Sequence, residues 1–263
     1  MKMAEGRIIS ERRGGILYLT ISNPESFNSV TTEMREDLIR NVREAEFDDS
    51  IRVIVLKGAG EKCFCSGLSM QMLDSIESME DRHEQWVVGK RIREALQNST
   101  KILVAAVKGS CAGNALEISL CCDLVFCAEN SKFVLPELNI GLTPGCGGAI
   151  GLQQHIPYHR FMEMVLLCDR MSPAEAVHYG FVNKVFPLET MDEELDKILD
   201  KLAATAPLAV KGLKEQLHLQ ETVGIEAAYR KEYDLCISLM GSKDFKNAVK
   251  SFLKKETPVF KGE

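Results

Sequence analysis

Three apolar runs constrain this chain more than anything else in it. "IRVIVLKGAG", "KILVAAVKG" and "DLVFCA" begin at Ile51, Lys101 and Asp123, and they leave few polar residues to turn toward water. Each reads as a buried strand, the first two closing on glycine. A further β-type run, "GILYLTIS" from Gly15 to Ser22, leads into the turn-like "NPES". Helical patterns lie between. "TTEMREDLIRNVREAEFDD" is amphipathic, with Leu38, Val42 and Ala45 on one face and Thr31 or Thr32 as its cap. Ala115 to Cys122 is apolar almost all round and predicts a short buried helix. From about Ser172 helical periodicities follow one another, broken by Pro173, Pro187, Pro207 and Gly224. Strands interleaved with helices, followed by a helical tail, make the fold class α/β. No internal repeat is visible in the sequence.

The length of 263 residues suits one large domain, or a domain with an appended helical piece. Hydrophobic residues at 45% and charged residues at 27% are those of a soluble globular protein. A net charge of −6 provides no global basic excess to meet a phosphate backbone, so no nucleic-acid partner is expected. Lys250, Lys254 and Lys255 form a local basic spot, either a solvated helix face or part of a ligand site. The nine cysteines show no C-x-x-C pair and no histidine at ligand spacing. They read as reduced, small, buried hydrophobes rather than as a metal site. "MKMAEGRIIS" carries no apolar h-region, and no run approaches a membrane span. The expectation is a cytoplasmic protein with no membrane partner.

Two carboxylates stand out. Glu117 and Glu137 lie among apolar and small residues in "GSCAGNALEISLCCDLVFCAENSKFVLPELNIGLTPGCGG". Glu117 falls in the first turn of the buried helix, where an acid suits the helix dipole. Its neighbours Leu116, Ile118 and Leu120 leave no obvious exposed face, and burial would raise its pKa. Glu137, after Pro136, reads equally as a solvated turn residue. Gly113, Asn114 and Ala115 lead into the helix and let a ligand or another backbone approach its free amides. "KCFCSGLSMQML" repeats the theme: Ser66, Gly67 and Leu68 end a strand-like run, and Ser69 can cap the next helix. Two such junctions with two carboxylates raise a reaction class, enolate chemistry beside an acyl carbonyl.

These residues resemble the crotonase superfamily, and within it the enoyl-CoA hydratases. The resemblance runs through "NPESFNSVT", "KCFCSGLSM", the Ala105–Leu152 stretch, "MSPAEAVHYGFVNKVFP" and the tail "FLKKETPVF". It implies a crotonase-type spiral of ββα units over residues 1–200 and a C-terminal helical region over 201–263 that serves trimerisation and closes over the site. It implies an acyl-CoA thioester as substrate, no metal, no separate cofactor, and a homotrimer or dimer of trimers. By motif position the amides of Leu68 and Asn114 would form the oxyanion hole, flanked by Ser66, Gly67 and Gly113. Gly145 would belong to the substrate-binding loop "GLTPGCGG". Glu117 would activate water for addition at C3, and Glu137 would deliver a proton to C2. Phe252 and Lys255, spaced i, i+3 on one helical face, would meet the adenosine end of CoA.

The chain departs from the family pattern at Asn114 and Ala115, where glycines are frequent, and at Ser69, where an aspartate is common. Only the backbone N–H of Asn114 is needed, so its side chain is free to point elsewhere. The segment from Gln71 to Gln97 would line or cover the acyl pocket; for Met70, Met72, Met79, His83 and Trp86 the alternative is plain helix packing, the favoured reading for His83 and Trp86. Two other readings accompany hydration. A Δ3,Δ2-enoyl-CoA isomerase needs one proton shuttle, which leaves a second acid superfluous. A non-catalytic acyl-CoA-binding protein would be expected to have lost one of the acids.

Overall fold

The computed structural model describes residues 6–263. Its strands are β1 (Arg7–Arg13), β2 (Ile16–Ser22), β3 (Val53–Gly58), β4 (Cys63–Cys65), β5 (Ile102–Val107), β6 (Ser110–Ala112), β7 (Leu124–Ala128), β8 (Lys132–Val134) and β9 (Lys184–Phe186). Its helices are α1 (Thr32–Glu46), α2 (Met70–Asp74), α3 (Met79–Gln97), α4 (Asn114–Ser119), α5 (Gly148–His155), α6 (Tyr158–Leu166), α7 (Pro173–His178), α8 (Met191–Ala203), α9 (Pro207–Thr222), α10 (Ile225–Met240) and α11 (Lys243–Lys254).

The strands divide between a large sheet ordered β1-β2-β3-β5-β7-β9 and a small one ordered β4-β6-β8. Pairing is parallel throughout except between β1 and β2. Each of β3, β5 and β7 is followed at once by a short strand of the small sheet, then by a helical segment: α2 and α3, then α4, then a 3-10 turn over Glu137–Ile140. This is a spiral of ββα units, as the resemblance implies. The repeat escapes the sequence because its second strand is only three residues long and reads differently each time, as CFC, SCA and KFV.

Alternation along the central strands explains the apolar runs. Ile54 and Leu56 of β3 enter the core beneath α1 and α3, while Val53 and Val55 enter a second core closed by Met191, Leu195 and Leu199 of α8. Both faces are covered, so both side-chain sets must be apolar. Burying each such side chain contributes about 1.5–3 kcal/mol. Thr31 is the cap of α1, its side chain accepting from the Met34 amide at 3.3 Å. Leu38, Val42 and Ala45 are buried as the pattern requires.

Four strands were not anticipated: the three-residue β6 and β8 of the small sheet, and two strands of the large one. β1 is a charged, largely exposed edge strand, and β9 has three residues inside a region whose pattern is helical. The predicted helix at Ala115–Cys122 is shorter and starts one residue earlier, at Asn114. α9 and α10 pack against each other where Gly212 stands opposite Leu235. Leu213, Leu217, Tyr229, Tyr233 and Ile237 on these helices remain exposed. All nine cysteines are free, and among the described residues no helix is long and apolar enough to cross a membrane.

Candidate active site

The two glycine-bearing junctions meet. Gly67 has φ +96°, and a Cβ there would stand 2.9 Å from the Ala112 carbonyl and 3.4 Å from the Asn114 nitrogen. A side chain at Gly67 would therefore be strained and would crowd the start of α4. Gly113, with φ +56°, caps α4, and its amide donates to the Val134 carbonyl at 2.9 Å. Asn114 is the first helical residue, so its N–H has no acceptor within the helix. Leu68 forms an isolated bridge with Val30 whose hydrogen bonds run through Gly67 and Ser69. Among the described residues the Leu68 amide donates to no backbone acceptor. Two N–H groups without a backbone acceptor thus belong to junctions that meet at Gly67.

Glu117 is 3% exposed. Three donors converge on it. Oε1 accepts from the amides of Cys146 at 2.7 Å and Gly148 at 3.0 Å, and Oε2 accepts from Asn114 Nδ2 at 3.2 Å. The Asn114 side chain, left unassigned by the sequence, donates to the carboxylate; one helical turn separates the two residues, which brings a short amide within reach. Gly148 is required by space, since a Cβ there would lie 2.6 Å from Glu117 Cγ.

Glu137 is held differently. It opens the 3-10 turn after β8 and is half-buried there. Its Oε1 lies 3.1 Å from where a Cβ on Gly113 would stand. Its Oε2 is buried without a partner among the described residues. Burial pushes its pKa up to about 7; its own backbone N–H opposes the rise and the nearby Glu117 charge adds to it.

The remaining candidates are more scattered. Ser66 turns its hydroxyl back to the Ser26 carbonyl at 3.4 Å, beside Gly67. Gly145 is exposed, and a Cβ there would approach nothing nearer than the Thr143 carbonyl at 3.9 Å. The loop residues that hold Glu117 are Cys146 and Gly148, which sequence reasoning did not single out; the doubled glycine of "PGCGG" was the available signal. Ser69 caps α2, accepting from the Met72 amide. Phe252 is 82% exposed in the last turn of α11. Lys255 is the C-cap of α11 at φ +57°, so it leaves the helix instead of sharing a helical face with Phe252. Met79 and Trp86 are 74% and 57% exposed, not packed, because α3 buries the opposite stripe of Val88, Gly89, Ile92 and Leu96.

The ββα spiral brings a buried acid, Glu117, and a half-buried one, Glu137, to the junctions at Gly67 and Gly113, and comparison with known proteins gives the family of this fold. Residues 11–263 match the model of the enoyl-CoA hydratase/isomerase family, and the chain belongs to that family. It is 30% identical to an Escherichia coli K12 protein named 2,3-dehydroadipyl-CoA hydratase, over 97% of this chain and 98% of that one. It is 32% identical to a Thauera aromatica protein named (E)-benzylidenesuccinyl-CoA hydratase, over 94% and 96%. A crystal structure of an enoyl-CoA hydratase from Bacillus anthracis superposes with a TM-score of 0.92 at 27% identity, covering 98% of this chain and 100% of that one.

Proposed function

We propose that the protein hydrates a 2-enoyl-CoA thioester through Glu117 and Glu137, with the amides of Leu68 and Asn114 as oxyanion donors. The observation that carries this is the unequal treatment of the two acids. Glu117 is furnished with three donors and so oriented as an acceptor, able to take a proton from water. Glu137, with a pKa near 7 and an unpartnered oxygen, can carry a proton at neutral pH. Environments that differ in this way assign base and acid within a pair. Water activated by Glu117 would add at C3, the negative charge would pass to the thioester oxygen between the two amides, and Glu137 would protonate C2. Each oxyanion donor is worth about 3 kcal/mol in other acyl enzymes, and each positioned proton carrier roughly 10²–10⁴-fold. The scheme calls for no metal and no cofactor beyond the CoA of the substrate.

Further parts of the reading follow from the surface. The exposed apolar residues of α9–α11 suit a homotrimer or a dimer of trimers. Phe252 and Lys255, exposed at the end of α11, suit the adenosine end of CoA, with residues 201–263 as the covering region. A reduced cytoplasmic setting suits nine free cysteines.

The test follows the ultraviolet absorbance of a conjugated enoyl-CoA. Loss of absorbance with wild type, abolished in Glu117→Gln and Glu137→Gln while thioester binding persists, supports hydration. Wild-type turnover in either variant overturns the paired-acid scheme. Conversion of a 3-enoyl-CoA without hydration would assign the isomerase, and binding without any reaction a non-catalytic protein.

A further inference from the structure

Arg35 is an anomaly of α1. It stands on the buried face of that helix, between Met34 and Leu38, and is 1% exposed. A buried cation ordinarily has an anion against it, because desolvating a charge without one is costly. Among the described residues no carboxylate lies within salt-bridge distance of Arg35. Glu36 is occupied by Arg91, and Glu33, Glu36 and Glu84 act on Arg35 only at longer range. Its hydrogen bonds are all to neutral acceptors and all through Nη2: the Gln85 side-chain oxygen, the Thr32 hydroxyl at 3.5 Å and the Met72 sulfur at 3.9 Å. Its Nε is buried with no partner at all.

Met72 belongs to α2 and Gln85 to α3, the two helices that follow the Leu68 junction. The Cys146 thiol feels both the Glu117 carboxylate and the Arg35 cation, and the Cys146 amide is one of the donors to Glu117. Gln85 is held in place by its own bond to Thr32 at 3.0 Å, so the neutral partners of Arg35 form a fixed wall. One edge of the guanidinium, Nε with Nη2, is a fork that matches the two oxygens of a carboxylate, and half of that fork is unfilled.

We infer that Arg35 recognises a free carboxylate on the acyl group, so that the site takes acidic enoyl thioesters in preference to neutral ones. This rests on the acyl-CoA reading above. The carboxylate would take the Nε–H and share Nη2 with Gln85, giving the buried cation its missing anion. A neutral acyl chain would leave it unpaired.

Calorimetric binding of matched saturated thioesters tests this without turnover: succinyl-, glutaryl- and adipoyl-CoA against butyryl-, pentanoyl- and hexanoyl-CoA. Wild type is expected to bind at least one acidic thioester about tenfold more tightly than its neutral partner, the scale of one charge-assisted fork. Arg35→Met should bring that ratio to about one, and Arg35→Lys should keep part of it. A purely structural Arg35 would weaken both members of a pair alike and leave the ratio standing, which overturns the inference. So does a wild-type ratio near one for every pair. If Arg35→Met does not fold, an undiminished ratio in Arg35→Lys overturns it equally. Failure of every thioester to bind, acidic or neutral, sinks the acyl-CoA reading and this inference together, whereas equal binding sinks this inference alone.

Discussion

Asn114 Nδ2 donates to Glu117 Oε2 at 3.2 Å, joining the residue whose amide is proposed as an oxyanion donor to the acid proposed as the base. The two functions separate by substitution. Asn114→Gly keeps the backbone N–H but removes the side-chain donor to a charged group, worth about 1.5–3 kcal/mol. kcat is expected to fall by about tenfold or more with KM little changed. Asn114→Pro removes the N–H and should eliminate turnover in a protein whose circular dichroism is unaltered. Wild-type kcat in Asn114→Gly would show that the side-chain bond does not position the base.

The raised pKa of Glu137 has a sign that can be read twice. As proton donor, Glu137 must be protonated, so kcat/KM should fall as pH rises through about 7. For stability, the folded pKa lies above the unfolded one, so the folded state binds more protons in between. The favourable contribution is complete below the unfolded value near 4.5 and is lost as pH rises through about 7. Thermal unfolding of wild type should therefore lose ground to Glu137→Gln between these pH values. Parallel Tm curves would refute the shift.

Gly148, which opens α5, and Gly145, in the loop just before it, differ in what surrounds them. Gly148→Ala places a methyl 2.6 Å from Glu117 Cγ and must displace the carboxylate or the loop. A loss of activity of about 10²-fold is expected, the scale of a misplacement by about an ångström. Gly145→Ala meets open space and should be nearly silent in both kcat and Tm. Equal effects would place the constraint in the loop's flexibility rather than in its contact with Glu117.

Lys255 is exposed beyond the last turn of α11, where a cation can serve a phosphate without disturbing the core. Lys255→Ala is expected to raise KM for an acyl-CoA several-fold, the scale of one surface charge, and to leave kinetics with the truncated pantetheine thioester unchanged. Equal effects on both substrates would remove Lys255 from the adenosine end.

How much of this was legible beforehand depends on how local the cause is. The apolar runs at 53–56, 102–107 and 124–128 are strands because two-sided burial admits no polar residue, and that is visible one residue at a time. Thr31 and Ser69 are caps because a hydroxyl reaches an amide three residues on. Glu117 was marked by its apolar neighbours and by family motif together.

Other features arise only from contacts between distant segments. β1 is too polar to be seen as a strand and exists because its backbone pairs with β2. Glu137 alone reads as a turn residue; its unpartnered oxygen and raised pKa come from the way β8 delivers it against Gly113. Cys146 and Gly148 become donors only when the loop before α5 folds over α4. Arg35 sits in a helix whose charged residues should face water, and its burial beside Met72 and Gln85 follows from the packing of α1 on α3. Sequence periodicity determined the layers and the ends of the helices, because burial and capping act over a few residues. Tertiary structure alone decided which acid is solvated by protein dipoles and which is left to hold a proton, because that depends on donors 29 and 31 residues away along the chain.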